Sequence, residues 1–512
     1  MVVKLSFFDA EHNELGLCVG FVFALSPSGD ASTAADSLVH RLEEAGKRVI
    51  AKWPLLGGQA VKLEEENLWG VDLDTPDEGR PYFFTRSAVP TPYHEAISHP
   101  TPLTPLSASS SCTTLPTPLT EHFRSPSLPL NMSGTVESKH PMLCLHTTVF
   151  TNAIAIGASF PHGVFDAAGA ATAIKALDAE LHGQDWTSPP SFGEVNPVQA
   201  AKQALLARPP LTAEEEAKIP PTVENWIPYT GSQWEVKRVI WSIWYENERQ
   251  KSKVRYAFLP QDKVDRLVER VKQEVKKDTD GRGYVSTGDV LTAFVLKSAH
   301  AAEARSSASV QASCVLNTRS LFSPLRPSPS TTPVITNYSY PHNVLSSYSY
   351  NPTHLPLREL AISSLATLAL NHRRNVLKVK TPEYLQAVVA KEAKLTNGGK
   401  APMMPKRDWP EPMGWIPGFW PRESNHVHRW VITNQMQAEL GDFSLPHPTE
   451  EGKDLPLLSY HSMLISYGSL DHLFSLQRIP GMGVSFTGSM RESRWNSFVE
   501  ALKDLDDEYG GV

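Results

Sequence analysis

The sequence predicts a two-domain α/β protein, and three observations carry that expectation. The chain has 512 residues, more than one ordinary hydrophobic core serves. Buried-strand patterns and helical patterns alternate on both sides of a long irregular stretch, Gln184 to Ser252. The composition, 41% hydrophobic and 20% charged, is that of an ordinary globular protein.

The same numbers exclude several functions. A net charge of −7 leaves no basic footprint for nucleic acid. No apolar run approaches the roughly 18 residues of a membrane span. The opening MVVKLSFFDAEHNE lacks the apolar core of a signal peptide. Cys18, Cys112, Cys144 and Cys314 are scattered without metal-ligand spacing, so a reduced, cytoplasmic compartment is expected. The segment HEAISH (His94, Glu95, His99) does not place two histidines at i and i+4, and no metal site is expected there.

In chain order, Leu17–Leu25 reads as a buried strand, and Ala34–Ala51 carries Leu38, Leu42, Val49 and Ile50 at helical spacing. Pro54 and Gly57-Gly58 mark a stop and a turn before an alternating Val61, Leu63 strand. Residues 88–130 are rich in proline and serine and read as an extended, partly disordered loop. Past Gln184 come a short helix near Gln199–Ala207 and an acidic patch at Glu214–Glu216. Val254–Leu259 restarts the strand pattern, and the helix from Gln261 buries Val264, Leu267, Val268, Val271 and Val275. Ser286 or Thr287 is placed to cap the next helix; a functional role for Thr287 or Asp289 is the competing reading. A strand at Cys314–Leu316, helices over Leu357–Asn371 and Pro382–Lys394, strands at Met463–Tyr467 and Met482–Phe486, and a helix at Glu492–Asp506 complete the chain. The Pro/Trp-rich stretch Lys400–Pro421 either walls a pocket or folds over the surface.

The chain is organised around Thr148–Leu181. A β-branched run, Val149–Ile156, leads through small residues to a turn at Pro161 and then to His162-Gly163-Val164-Phe165-Asp166. From Ala171 the spacing becomes helical, through Ile174, Leu177 and Leu181. A histidine at the mouth of a strand with an acid four residues on suits a general base. The competing reading makes Asp166 an ordinary helix N-cap and His162 a loop residue.

SFPHGVFDAAG resembles the HxxxD motif of the BAHD acyltransferases, with Ala167-Ala168 where the family usually has glycine directly after the aspartate. Further segments occur in the family's order. They are the LSFFD start, the PLLGG turn, VSTGDVLTA (Val285–Ala293), Asn317-Thr318-Arg319, and Tyr340-Pro341-His342-Asn343. Asp442-Phe443 falls where the family has DFGWG, but continues Ser444-Leu445-Pro446. The tryptophan's role in that motif therefore cannot be carried over. The long Pro-rich insertions look more like fungal members than plant ones.

The resemblance implies two pseudo-symmetric chloramphenicol acetyltransferase-like domains, each a mixed sheet with helices, and an active-site channel between them. The expected divisions are an N-terminal domain over residues 1–195, a crossover linker over 196–252, and a C-terminal domain over 253–512. It implies a monomer that transfers an acyl group from acyl-CoA, as co-substrate, to a hydroxyl or amine of a small-molecule acceptor, by the family's nature a secondary metabolite. No tightly bound cofactor is implied. His162 would be the general base and Asp166 its catalytic-motif partner, held by Arg319 across the two halves. Asp442 would be structural, and Thr433 or Asn434 would face the oxyanion or the acyl pocket. No G-x-S-x-G elbow is present, which fits direct transfer without a covalent acyl-enzyme. The alternatives are a carrier-dependent condensation-type member and a non-catalytic member of the fold. The former usually has a second histidine where this chain has Pro161.

Overall fold

The computed structural model describes all residues except 7, 8, 10–14, 26–30, 64–67, 75–81, 117–119, 130, 193–195, 219–251, 323–338, 350–354, 398–426, 466–472 and 510–512. The stretch Lys400–Pro421 lies outside the described residues.

The strands of the two main sheets are β1 (Gly16–Ala24), β2 (Phe84–Ala88), β3 (Thr113–Pro116), β4 (Cys144–Val149), β5 (Ala153–Pro161), β6 (Lys253–Pro260), β7 (Ser309–Asn317), β8 (Leu345–Ser349), β9 (Val427–Asn434), β10 (Leu457–Ile465), β11 (Leu473–Ile479) and β12 (Gly483–Met490). The longer helices are α1 (Ala31–Lys52), α2 (Ala167–His182), α3 (Pro197–Leu206), α4 (Gln261–Asp278), α5 (Thr287–Ala299), α6 (Leu365–Val379), α7 (Pro382–Asn397) and α8 (Glu492–Tyr509). The first sheet runs β10-β1-β5-β4-β2; the second runs β8-β7-β9-β11-β12-β6-β3, with Leu355–Pro356 pairing β7. Residues Val2–Lys4, Gln59–Leu63 and Leu68–Asp72 form a small third sheet.

The two main sheets repeat one pattern. In each, the opening strand (β1 or β6) lies beside the second strand of a hairpin (β5 or β12). The hairpin's first strand (β4 or β11) then pairs in parallel with β2 or β9. A helix follows each opening strand, α1 or α4, and another follows each hairpin, α2 or α8. The outer strand beside each opening strand comes from the other half of the chain: β10 joins β1, and β3 joins β6. The sheets therefore do not divide at the linker, because each half lends the other a strand.

The helical stripes read from the sequence are the buried ones. Leu38, Leu42 and Val49 of α1 face the first core with Ile50 half-buried against it, and Val264, Leu267, Val268, Val271 and Val275 of α4 face the second. At α5, Ser286 accepts from the Asp289 amide while the Asp289 carboxylate accepts from the Ser286 amide and hydroxyl, a reciprocal cap. Asp289 also takes His372 Nδ1 at 3.0 Å, so the capping side chain ties α5 to α6.

Three expectations are corrected. The apolar run at Val149–Ile156 is a hairpin rather than one strand, because Thr151-Asn152 forms its turn and Asn152 Oδ1 accepts from the Tyr93 amide at 2.8 Å. The segment Leu357–Asn371 breaks into Leu357–Ile362 and α6, because Ser364 caps α6 by accepting from the Thr367 amide. Residues 88–130 are not simply an extended loop. They contribute β3 to the second sheet, and their Tyr93, Ile97 and Phe123 are buried on one face of the first. Gly20 and Gly157 stand opposite each other in register, and a Cβ on either would press into Phe123. β5 is thus covered on both sides, by α1 and α2 and by this strap, which is why it reads as a continuous apolar run rather than an alternating one.

Candidate active site

β5 delivers the site. Its last residue is Pro161, whose carbonyl accepts from the amides of Val164 and Phe165 in the turn that follows. Val164 and Phe165 are fully buried; Phe165 packs edge-on against Phe160 and Trp53, at 5.7 Å and 6.2 Å between ring centroids. These anchors hold the turn between β5 and α2, with His162 at its start and Asp166 at its end.

Asp166 is the helix cap of the competing reading and also an ion-pair partner. Its Oδ1 accepts from the amides of Ala168 and Gly169, capping α2. Its two oxygens also take Arg319 as a fork, Nη1 to Oδ2 at 2.7 Å and Nη2 to Oδ1 at 2.9 Å. Arg319 stands just past β7 in the other half of the chain. It further donates to the carbonyls of Tyr340 and His342 and to Asn317 Oδ1. Both charges are buried, at 1% and 2% exposure. Both Asp166 oxygens are thus engaged, one in the cap and the fork and the other in the fork.

Further contacts grip the same turn. The His162 amide donates to the Leu15 carbonyl at 3.0 Å, and the His162 carbonyl accepts from Asn343 Nδ2 at 2.6 Å. His342 Nδ1 lies 3.1 Å from the Val164 carbonyl. Gly169 lets α2 approach this segment, since a Cβ there would overlap the Pro341 carbonyl oxygen. Asn343 is held in turn by Asp9, whose Oδ1 accepts from its amide at 2.8 Å and its Nδ2 at 2.9 Å. Asp9 Oδ2 takes the Ser6 amide and hydroxyl. The roles of Asp9 and Asn343 were not read from the sequence. Their signal was there, in the LSFFD start and the Tyr340-Pro341-His342-Asn343 segment.

Burial sets the electrostatics. It pushes the His162 imidazole below its ordinary value, against smaller opposing contributions from backbone hydrogen bonding, Asp166 and Asn343. The neutral imidazole that results can accept a proton. Burial lowers His342 to about 4. It raises Asp9 to about 7, against the hydrogen bonds from Asn343 and Ser6.

The contacts of the remaining candidates are with other elements. Thr433 is buried in β9, opposite Ser475 of β11, and receives Gln435 Nε2 at 3.4 Å. Asn434 is exposed and sits against Gly288 at the start of α5. Asp442 is 49% exposed, with Oδ2 3.5 Å from Lys175 Nζ, part-way along α2. The neighbouring Phe443 is the buried member, 4.7 Å from the Phe21 ring, and the Ser444 amide donates to Asp178 of α2. The Asp442–Pro446 segment thus clasps α2 to β1. His94 lies on the four-residue helix Tyr93–Ala96, and His99 Nδ1 is 2.7 Å from the Thr101 carbonyl. Among the described residues no group of His, Cys, Asp and Glu is placed to hold a metal ion, and no helix is long and apolar enough to cross a membrane.

The fold is the two-domain, chloramphenicol acetyltransferase-like scaffold that the HxxxD resemblance implied. Crystal structures of that fold include TRI101 of F. sporotrichioides complexed with Coenzyme A and T-2. It superposes with a TM-score of 0.58 at 14% identity, over 100% of this chain and 98% of TRI101. Vinorine synthase superposes with a TM-score of 0.55 at 14% identity, over 98% of this chain and 93% of the synthase. In sequence, the chain is similar to acetyltransferase BOT5 of Botryotinia fuckeliana, 27% identical over 179 residues. That match covers 34% of this chain and about a third (31%) of the length of the curated relative. No family model matches the chain.

Proposed function

We propose that this chain is an acyltransferase that moves an acyl group from an acyl-CoA to the hydroxyl or amine of a small-molecule acceptor. The observation that carries the reading is the buried His162 turn, gripped by Arg319, His342 and Asn343 from the other half of the chain. His162 takes the acceptor proton as general base and returns it to the departing thiolate. The acyl group passes directly from thioester to acceptor, in a channel between the halves, with no acyl-enzyme. The CoA complex of TRI101 and the acetyltransferase name of BOT5 support the donor class. The T-2 complex of TRI101 supports a small-molecule acceptor. Thr433 and Asn434 are proposed to face the intermediate, Asp442 to brace α2, and the protein to act as a soluble cytoplasmic monomer belonging to the BAHD acyltransferases.

The test is calorimetric titration of the purified chain with acetyl-CoA, malonyl-CoA and a long-chain acyl-CoA. Saturable binding near micromolar strength, about −8 kcal/mol, supports the transferase and names its donor. A folded sample that binds none of them overturns the CoA assignment in favour of a carrier-dependent or non-catalytic protein.

A further inference from the structure

Beside the His162 turn, on the strap-covered face of the first sheet, lies a cavity of about 30 Å³. That exceeds the roughly 10–15 Å³ one water needs. Its wall includes Arg124, Asn131, Thr135, His140, Ser159 and Pro161, the last adjoining His162.

Arg124 is the unusual member. It is 8% exposed, yet among the described residues no carboxylate stands within ion-pair range of it. Its hydrogen bonds there both leave from Nη2, to the carbonyls of Leu128 at 2.7 Å and Pro129 at 2.6 Å. The titratable groups facing it supply no negative charge. Burial pushes the Cys18 thiol up to about 11, the Cys144 thiol donates to the Pro141 carbonyl, and burial followed by Arg124 itself lowers His140. A buried guanidinium without a counter-charge is costly, and structures ordinarily supply the missing anion.

We propose that this cavity is an anion subsite in which Arg124 receives a carboxylate, carried by the acyl group of the CoA ester or by the acceptor. Arg124 suits the task because its planar fork matches a carboxylate. Asn131, Thr135 and Ser159 add polar side chains to the wall. The inference rests on the transferase reading for the origin of the carboxylate, though not for the existence of the subsite.

The subsite is tested first with free malonate, by following the melting temperature of the wild-type chain, Arg124→Gln, Arg124→Lys and Ser159→Val. A saturable rise is expected for the wild type and, weaker, for Arg124→Lys. It should vanish in Arg124→Gln, and also in Ser159→Val, which fills the cavity and keeps the charge. No saturable rise in the wild type, or an equal rise in Ser159→Val, overturns the proposal. Malonyl-CoA and acetyl-CoA are then titrated. A preference for malonyl-CoA of roughly tenfold or more, lost in Arg124→Gln, places the carboxylate on the donor. Equal affinities alongside an intact malonate response place it on the acceptor. If neither ester binds while malonate still acts, the CoA reading fails and the subsite stands.

Discussion

Arg319 and Asp166 form a two-pronged buried ion pair across 153 residues of sequence, with Arg319 Nη1 2.7 Å from Oδ2 and Nη2 2.9 Å from Oδ1. The pair joins the two halves of the chain at the loop that carries His162. Removing one partner leaves the other charge buried, so Asp166→Asn or Arg319→Met is expected to cost roughly 3–5 kcal/mol. The double variant should lose clearly less than the sum of the two. Urea unfolding and turnover, measured through the whole cycle, check this; simple additivity would show that the two residues act independently.

His162→Ala should lower acyl transfer by about 10²–10⁴-fold while the chain stays folded. Because burial holds the imidazole below its ordinary value, the acid limb of the rate should lie below about pH 6.5. Turnover and circular dichroism read the two effects separately. Retained turnover removes the base assignment.

Asn343 holds the His162 carbonyl at 2.6 Å and is itself held by Asp9. Asn343→Ala should cost about 1–3 kcal/mol of stability, since it strands hydrogen-bonding groups in a buried site. It should lower kcat with little change in KM, because it positions the backbone of the base and not the substrate. A rise in KM at constant kcat would instead place Asn343 in substrate binding.

Gly169→Ala reverses an ordinary rule. Alanine usually favours a helix over glycine by about 1 kcal/mol, but here its methyl would overlap the Pro341 carbonyl oxygen. The substitution should therefore destabilise by about 1–3 kcal/mol and reduce turnover, since it pushes α2 away from the segment that grips the His162 turn. A higher melting temperature would show that the two elements are not in close contact.

The buried histidines should make the chain acid-labile. Burial lowers His146, His300 and His342 to about 4 and His461 to about 3, whereas unfolded histidine titrates near 6.5. Between those values the unfolded chain binds more protons than the native one, so stability falls as pH drops from about 6.5 towards 4. Asp9 opposes this trend. Raised to about 7, it keeps its proton in the native state, and its contribution weakens as pH rises towards 7. Urea midpoints across this range should show a net loss of stability towards acid; a flat profile would mean that these histidines are solvated.

Local pattern alone determined much of this protein. The stripes of α1 and α4, the cap of α5 and the strand-turn-helix around His162 each depend on residues within a few turns or one strand of each other. Their spacing carries the needed information. The His162/Asp166 motif was legible for the same reason, and Arg319 only through the order of segments that resembled a known family. Tertiary structure decided the rest. The exchange of β3 and β10 between sheets, the burial of residues 88–130, and the break of a single apolar run into β4 and β5 all answer to surfaces far away in the chain. Asp9 and Asn343, 334 residues apart, gained their roles in the same way. A hydrogen bond between such positions leaves no periodicity in the sequence, because it is satisfied only once both halves have folded around the turn it holds.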